Sequence, residues 1–251
     1  LDSENLFTGA VTLTGTTVEI NNNNDLELAV VNATDLIVTT GDNDGDITGS
    51  GVITVGNTAS FNADGTGNIT LENAANDFTG DVTITAGGFA SITDVNAIQF
   101  GASTAGGDMT ILAEKITIGA DLTAASLIAT ATGNAGSDIA FGAFNVNADS
   151  VNLTLSGGDA ATISYSTVKF KNTLGATNPT TFSVTTTNNA GSIDLDSFLA
   201  VSGNFNDADL DLTTITFENT GSADLVNNIG TLTNAYLSLT KNTGNIDAAL
   251  V

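Results

Sequence analysis

Apolar and polar residues alternate with a period of two along almost the whole chain. The runs are short: Val11-Thr-Leu13, Leu26-Glu-Leu28, Ile69-Thr-Leu71, Val82-Thr-Ile84, Ile98-Gln-Phe100, Met109-Thr-Ile111 and Ile116-Thr-Ile118. Leu153-Thr-Leu155, Val168-Lys-Phe170, Phe182-Ser-Val184, Ile193-Asp-Leu195 and Ile215-Thr-Phe217 continue the pattern. Successive side chains of an extended backbone point to opposite faces, so each run predicts a strand of three to five residues with one apolar face. Gly-, Asn- and Asp-rich clusters such as "GDNDGD" and "NADGTGN" separate the runs and predict turns. The Ala-rich stretch Leu122–Ala131 is the one passable helix candidate, but it lacks cap signals and is read as two more short strands.

The strands repeat. "NLFTGAVTLTG" at Asn5–Gly15 returns as "NDFTGDVTITAG" at Asn76–Gly87, with Phe78, Val82 and Thr83 each 71 residues after an identical residue. Leu26-Glu-Leu28 returns as Ile98-Gln-Phe100, and "DLIV" at Asp35–Val38 returns as "DMTI" at Asp108–Ile111. The echoes divide the chain into copies at 5–75, 76–146 and 147–217 and a degenerate remainder at 218–251. A repeating register of helix-free short strands predicts an all-β fold, a single parallel β-helix over residues 1–251. With about three coils of roughly 24 residues per copy, the chain would hold about ten coils and reach on the order of 50 Å at ~4.8 Å per coil. Within the motif, Phe78, Val82 and Ile84 are expected in the core, Gly80 in a turn, and Thr83 and Thr85 outside.

Charge narrows the partners. There are 28 acidic residues against four lysines, and His, Cys and Trp are absent. A net charge of −24 argues against nucleic acid, whose phosphates need clustered Lys and Arg. It argues equally against anionic membrane surfaces, and no apolar run is long enough to span a bilayer. The chain opens on Leu1, so any signal peptide is expected to have been removed or to lie outside it.

The same inventory argues against an enzyme: there is no His for acid–base work, no Cys nucleophile and no Arg clamp. Glycoside hydrolysis needs only two carboxylates, for which Asp194/Asp196 and Asp207/Asp209/Asp211 are the candidates. Each set is spaced i, i+2 and so lies on one strand face, about 7 Å apart. A solubilising acidic row accounts for them more simply. The candidate metal site is "GDNDGD", where Asp42, Asp44 and Asp46 offer alternating hard oxygens suited to Ca²⁺. It is not an EF-hand loop, because the Gly comes one place early and Ile53 stands where a bidentate Glu belongs.

"NDFTGDVTITAG", "SITDVNAIQFG" and "GGDMTI", between Asn76 and Ile111, resemble the repeats of large bacterial surface adhesins of the filamentous-haemagglutinin and autotransporter type. The resemblance implies a right-handed parallel β-helix exported to the surface of a Gram-negative bacterium, with a role in adhesion or matrix building. The secretion domain and membrane barrel of such proteins are not present in these 251 residues. The sequons at Asn32, Asn68 and Asn152 are then read as ladder and turn residues rather than glycan sites. Because the motif begins at Asn5 and alternation persists to Val251, open coil ends are expected. The functional expectation is a structural module of an extracellular adhesin shaft. Its partners would be other parts of a larger adhesin, or a host or matrix surface. The alternative is a filament or surface-layer subunit self-associating end to end, with a carbohydrate-active enzyme a third reading.

Overall fold

Ile47–Gly49, Ile53–Val55 and Ala59–Ala63 are three short strands separated by corners, and together they make one turn of the chain. The next turn repeats them as Ile69–Leu71, Asp77–Phe78 and Asp81–Ala86, and the one after as Ala90–Thr93, Ala97–Phe100 and Ser103–Ala105. The structure, a computed structural model, describes residues 5–41, 44–133 and 138–156. Beyond them it describes the strands Thr162–Tyr165, Lys169–Lys171, Thr181–Thr186, Thr213–Asn219, Leu225–Ile229, Ala235–Lys241 and Ile246–Leu250. Every strand pairing among the described residues is parallel. The protein is an all-β parallel β-solenoid of about seven turns across its continuously described part. The first side of the turn continues further, through Thr181–Thr186, Thr213–Asn219 and Ala235–Lys241.

Alternation explains the core. On the first side, Leu26, Ile47, Ile69, Ala90, Met109, Leu127 and Val151 stand beside one another in successive turns. All are at most 2% exposed. On the third side Ile20, Val38, Phe61 and Ile84 form an equivalent column. Phe78 meets Phe61 edge-on, with ring centroids 6.0 Å apart. Further along, Phe170 lies between Phe141 and Phe182, at 5.2 and 5.0 Å. Each buried Leu, Ile or Phe contributes about 1.5–3 kcal/mol through area removed from water. Phe78, Val82 and Ile84 are in this core, while Thr83 is half-buried and Thr85 exposed, as the motif's alternation requires.

Two expectations need correction. Strands are not uniformly short: Val11–Asn22, Leu26–Thr40 and Asn145–Leu155 round corners without a break. Leu122–Ala131 does the same, as one strand serving two sides. Leu122 pairs with Ser103 and Leu127 with Met109, and the corner falls at Ala125 and Ser126, where two half-buried residues follow each other. Nor do 71 residues make three coils of 24. Leu26 comes round to Ile47, Ile69 and Ala90, so three turns take 64 residues. The echo at Ile98–Phe100 therefore lies one side further round than Leu26–Leu28. The same rotation carries Leu36 and Val38 on the third side to Met109 and Ile111 on the first. The repeated unit is a strand with its corner, indifferent to which side it occupies.

Turn length varies with the corners. Phe61 pairs with Ile84, 23 residues on, whereas Ala97 pairs with Lys115 after 18 and Leu122 with Val146 after 24. Where turns come closest, only glycine fits. Gly80 stands against the Asn57 carbonyl oxygen, and an added Cβ would run into it. Gly80→Ala is therefore expected to cost about 1–3 kcal/mol or more through overpacking. Gly9→Ala, with nothing within 4 Å of the added carbon, should stay within about 0.5 kcal/mol. Urea midpoints of the two variants check this, and equal midpoints would contradict it.

Candidate functional site

Side chains take the place of backbone carbonyls wherever a corner interrupts a strand line. The buried Asn22 accepts the Phe7 N–H at 2.7 Å, and the buried Asn76 accepts the Ile53 N–H at 2.9 Å while donating to the Leu71 carbonyl. Ser103, inside the core column, accepts the Ile84 N–H at 3.1 Å. Asp94 performs the same task with a charge. It is 3% exposed, and its two oxygens accept the Phe78 N–H at 2.7 Å and the Asn96 N–H at 2.8 Å. Asp94 sits where a 23-residue turn gives way to one of 18, and the chain cuts the corner short of Phe78. Burial pushes its carboxyl above the ordinary value, the two N–H donors pull the other way, and Asp77 and Glu114 add like-charge repulsion.

A second series runs up the corner before the first side, where Asp25, Asp46, Asn68 and Phe89 immediately precede Leu26, Ile47, Ile69 and Ala90. Asp25 accepts the Asp46 N–H at 3.0 Å. Asp46 accepts both the backbone and side-chain N–H of Asn68, at 2.7 and 3.0 Å, and Asn68 accepts the Phe89 N–H at 3.0 Å. Each side chain thus anchors the next turn, and Phe89 ends the series.

This settles what two of the three candidate calcium ligands do in the fold. Asp44 has a left-handed backbone, φ 58°, and its exposed carboxylate accepts the Thr66 N–H at 2.7 Å. Asp46 belongs to the ladder. Asp42 lies outside the described residues, so the three are not brought together as a set. Asp46 also borders a concavity of about 420 Å³ with Asp25, Glu27, Thr8 and Thr48. Among the described residues, no group of three or more His, Cys, Asp or Glu is placed to hold a metal ion. Asp194, Asp196, Asp207, Asp209 and Asp211 lie outside the described residues. Lys169 and Lys171 flank the buried Phe170 in one strand.

Most other polar contacts are ladders on the outer faces. Asp35 accepts the Thr58 hydroxyl at 2.9 Å and the Asn57 amide at 2.6 Å one turn on, and these bonds hold its carboxyl below the ordinary value. Lys115 and Asp138 make an exposed ion pair at 3.5 Å, of a kind that adds little stability. The structural roles of Asn22, Asn76 and Asp94 are missed by sequence reasoning. Their one signal is an Asn or Asp just before a strand or corner, which also marks ordinary turns.

Residues 15–85 match a family described as repeats of unknown function (DUF5649). The matched span equals the length of the internal echo. Comparison with curated proteins and with solved structures finds no match. Among the described residues, no helix is long and apolar enough to cross a membrane.

Proposed function

We propose that this chain is a structural shaft module of an extracellular or cell-surface protein, a stiff spacer that holds other parts of a larger adhesin away from the envelope. The observation that carries the reading is the unbroken parallel line on the first side, from Leu26–Thr40 to Ala235–Lys241. A strand line continuous through every turn resists bending, because each turn is hydrogen-bonded to both neighbours along its length. The polar groups reinforce this use. Asp25, Asp46, Asn68, Asn76 and Asp94 are spent on joining turns. A chemistry that needs free groups in a closed cleft has no support from them, so the module is read as non-catalytic. The charge of −24 suits a surface that must stay soluble and unaggregated outside the cell. The surface resemblance noted in the sequence supports the location.

Immunogold labelling of intact source cells with antibody to this chain tests the proposal. Label on extended structures outside the envelope is the expected result. Label that emerges only after lysis would overturn it.

A further inference from the structure

The three sequons have different fates in the fold. Asn68 is half-buried, its amide nitrogen donates to Asp46 and its oxygen accepts the Phe89 N–H. Asn152 is also half-buried, donating to the Ser150 hydroxyl at 3.1 Å and accepting the Ser183 hydroxyl at 2.6 Å. Both carboxamides join turns, as the sequence reading expects. Asn32 does not. It stands between Thr14 and Thr54 of the neighbouring turns, exposed, and its carboxamide makes no hydrogen bond. Thr34, two residues on in the same extended strand, is exposed on the same face. The surface around the pair is a shallow concavity of about 450 Å³, kept open by Gly15 and Gly56 and edged by the hydroxyls of Thr14, Thr16 and Thr54.

We propose that Asn32 is an acceptor for an N-linked glycan, donated by a sugar activated as a nucleotide or lipid diphosphate ester. In the transfer, the bond between the anomeric carbon and the phosphate oxygen breaks and the diphosphate leaves with the electron pair. The Asn32 Nδ2 takes its place on that carbon and gives one proton to a base of the transferase. A transferase binds the Asn and the hydroxyl residue of a sequon together on an accessible, extended segment, and Asn32 with Thr34 offers both on one face. The backbone of Leu26–Thr40 is paired on both sides, so the transfer takes place before the turn closes, and the finished fold decides which glycans it tolerates. At Asn32 the sugar projects into open, hydroxyl-lined space and no hydrogen bond is lost. At Asn68 or Asn152 it would remove an amide proton used between turns.

The test is secretion of the full chain from a eukaryotic host, followed by peptide mass mapping of the folded, protease-resistant product. A glycan on Asn32, with Asn68 and Asn152 unmodified, is the expected pattern. Asn32→Gln and Thr34→Ala should each abolish the added mass while leaving the urea midpoint unchanged. Folded product bare at Asn32, or carrying its glycan on Asn68 or Asn152, would overturn the assignment.

Discussion

Phe61→Ala lowers the stability of the solenoid by about 3–5 kcal/mol, the range for truncating a fully buried aromatic side chain. The ring is 1% exposed, stands in the column between Val38 and Ile84, and receives Phe78 edge-on at 6.0 Å. Its neighbours in the column are held by backbone pairing on both sides, so they cannot collapse into the space, and the cavity term is felt almost in full. A solenoid adds a second signature. Each turn touches only the turns beside it, so damage at Phe61 loosens the turns containing Val38 and Ile84 first and leaves those around Phe170 folded longer. Urea denaturation followed by amide exchange reads both effects: a lower midpoint overall, and early loss of protection near residues 36–86. Thr83→Ala, one residue from Ile84 but facing outward, should stay within about 0.5 kcal/mol of wild type. A Phe61→Ala loss of the same small size would mean that the column is not close-packed there.

The alternation carries the fold because a parallel solenoid asks little beyond it. Val82, Ile84, Ile116 and Ile118 are placed inside by period two alone, and nothing in the structure contradicts that placement. Register is harder to read. The echo of Leu26–Leu28 at Ile98–Phe100 is real, yet it marks a change of side, because all three sides bury the same kind of face. A sequence repeat then reports the strand-and-corner unit and not the circumference. Coil length is set by the corners, where Gly80 fits because the Asn57 carbonyl lies against it, a constraint visible only once the turns are stacked.

The candidate site is legible in a different measure. Asp46 is recognisable as a loop carboxylate, and metal coordination and turn anchoring demand the same residue at the same place. What separates them is the Asn68 amide one turn away, 22 residues later in the chain. Asn32, Asn68 and Asn152 share one motif and differ in what the neighbouring turns bring to them. Local sequence cannot distinguish an asparagine that bridges two turns from one that faces solvent. The functional reading of this chain rests on such inter-turn bonds, since polar groups bound into ladders serve rigidity.

Asp94 provides the sharpest test of that view, through pH. Its folded-state carboxyl is raised above the ordinary carboxylate value, chiefly by burial, so between the two values the folded chain binds more protons than the unfolded one. Stability from this group is then greatest at low pH and falls as pH rises through that window, and above the window the cost of the buried charge is complete. Asp35 acts in the opposite sense. Its depressed carboxyl contributes stability above the ordinary value and loses it as pH falls, so the whole protein's pH profile mixes the two. Comparison with Asp94→Asn isolates the buried group. The variant cannot ionise, but it faces either the Phe78 or the Asn96 N–H with an amide donor, and it is expected to be less stable than wild type at pH 3. The deficit should shrink as pH rises to 7, where wild type alone bears the charge. Asp94→Ala strands both N–H groups, each worth about 1–3 kcal/mol when buried and unpaired, and should be the more damaged variant at every pH. Urea midpoints of the three proteins at pH 3, 5 and 7 decide the matter. A constant gap between wild type and Asp94→Asn would show that Asp94 titrates as an exposed carboxylate, and equal stability of wild type and Asp94→Ala would show that Phe78 and Asn96 find other partners.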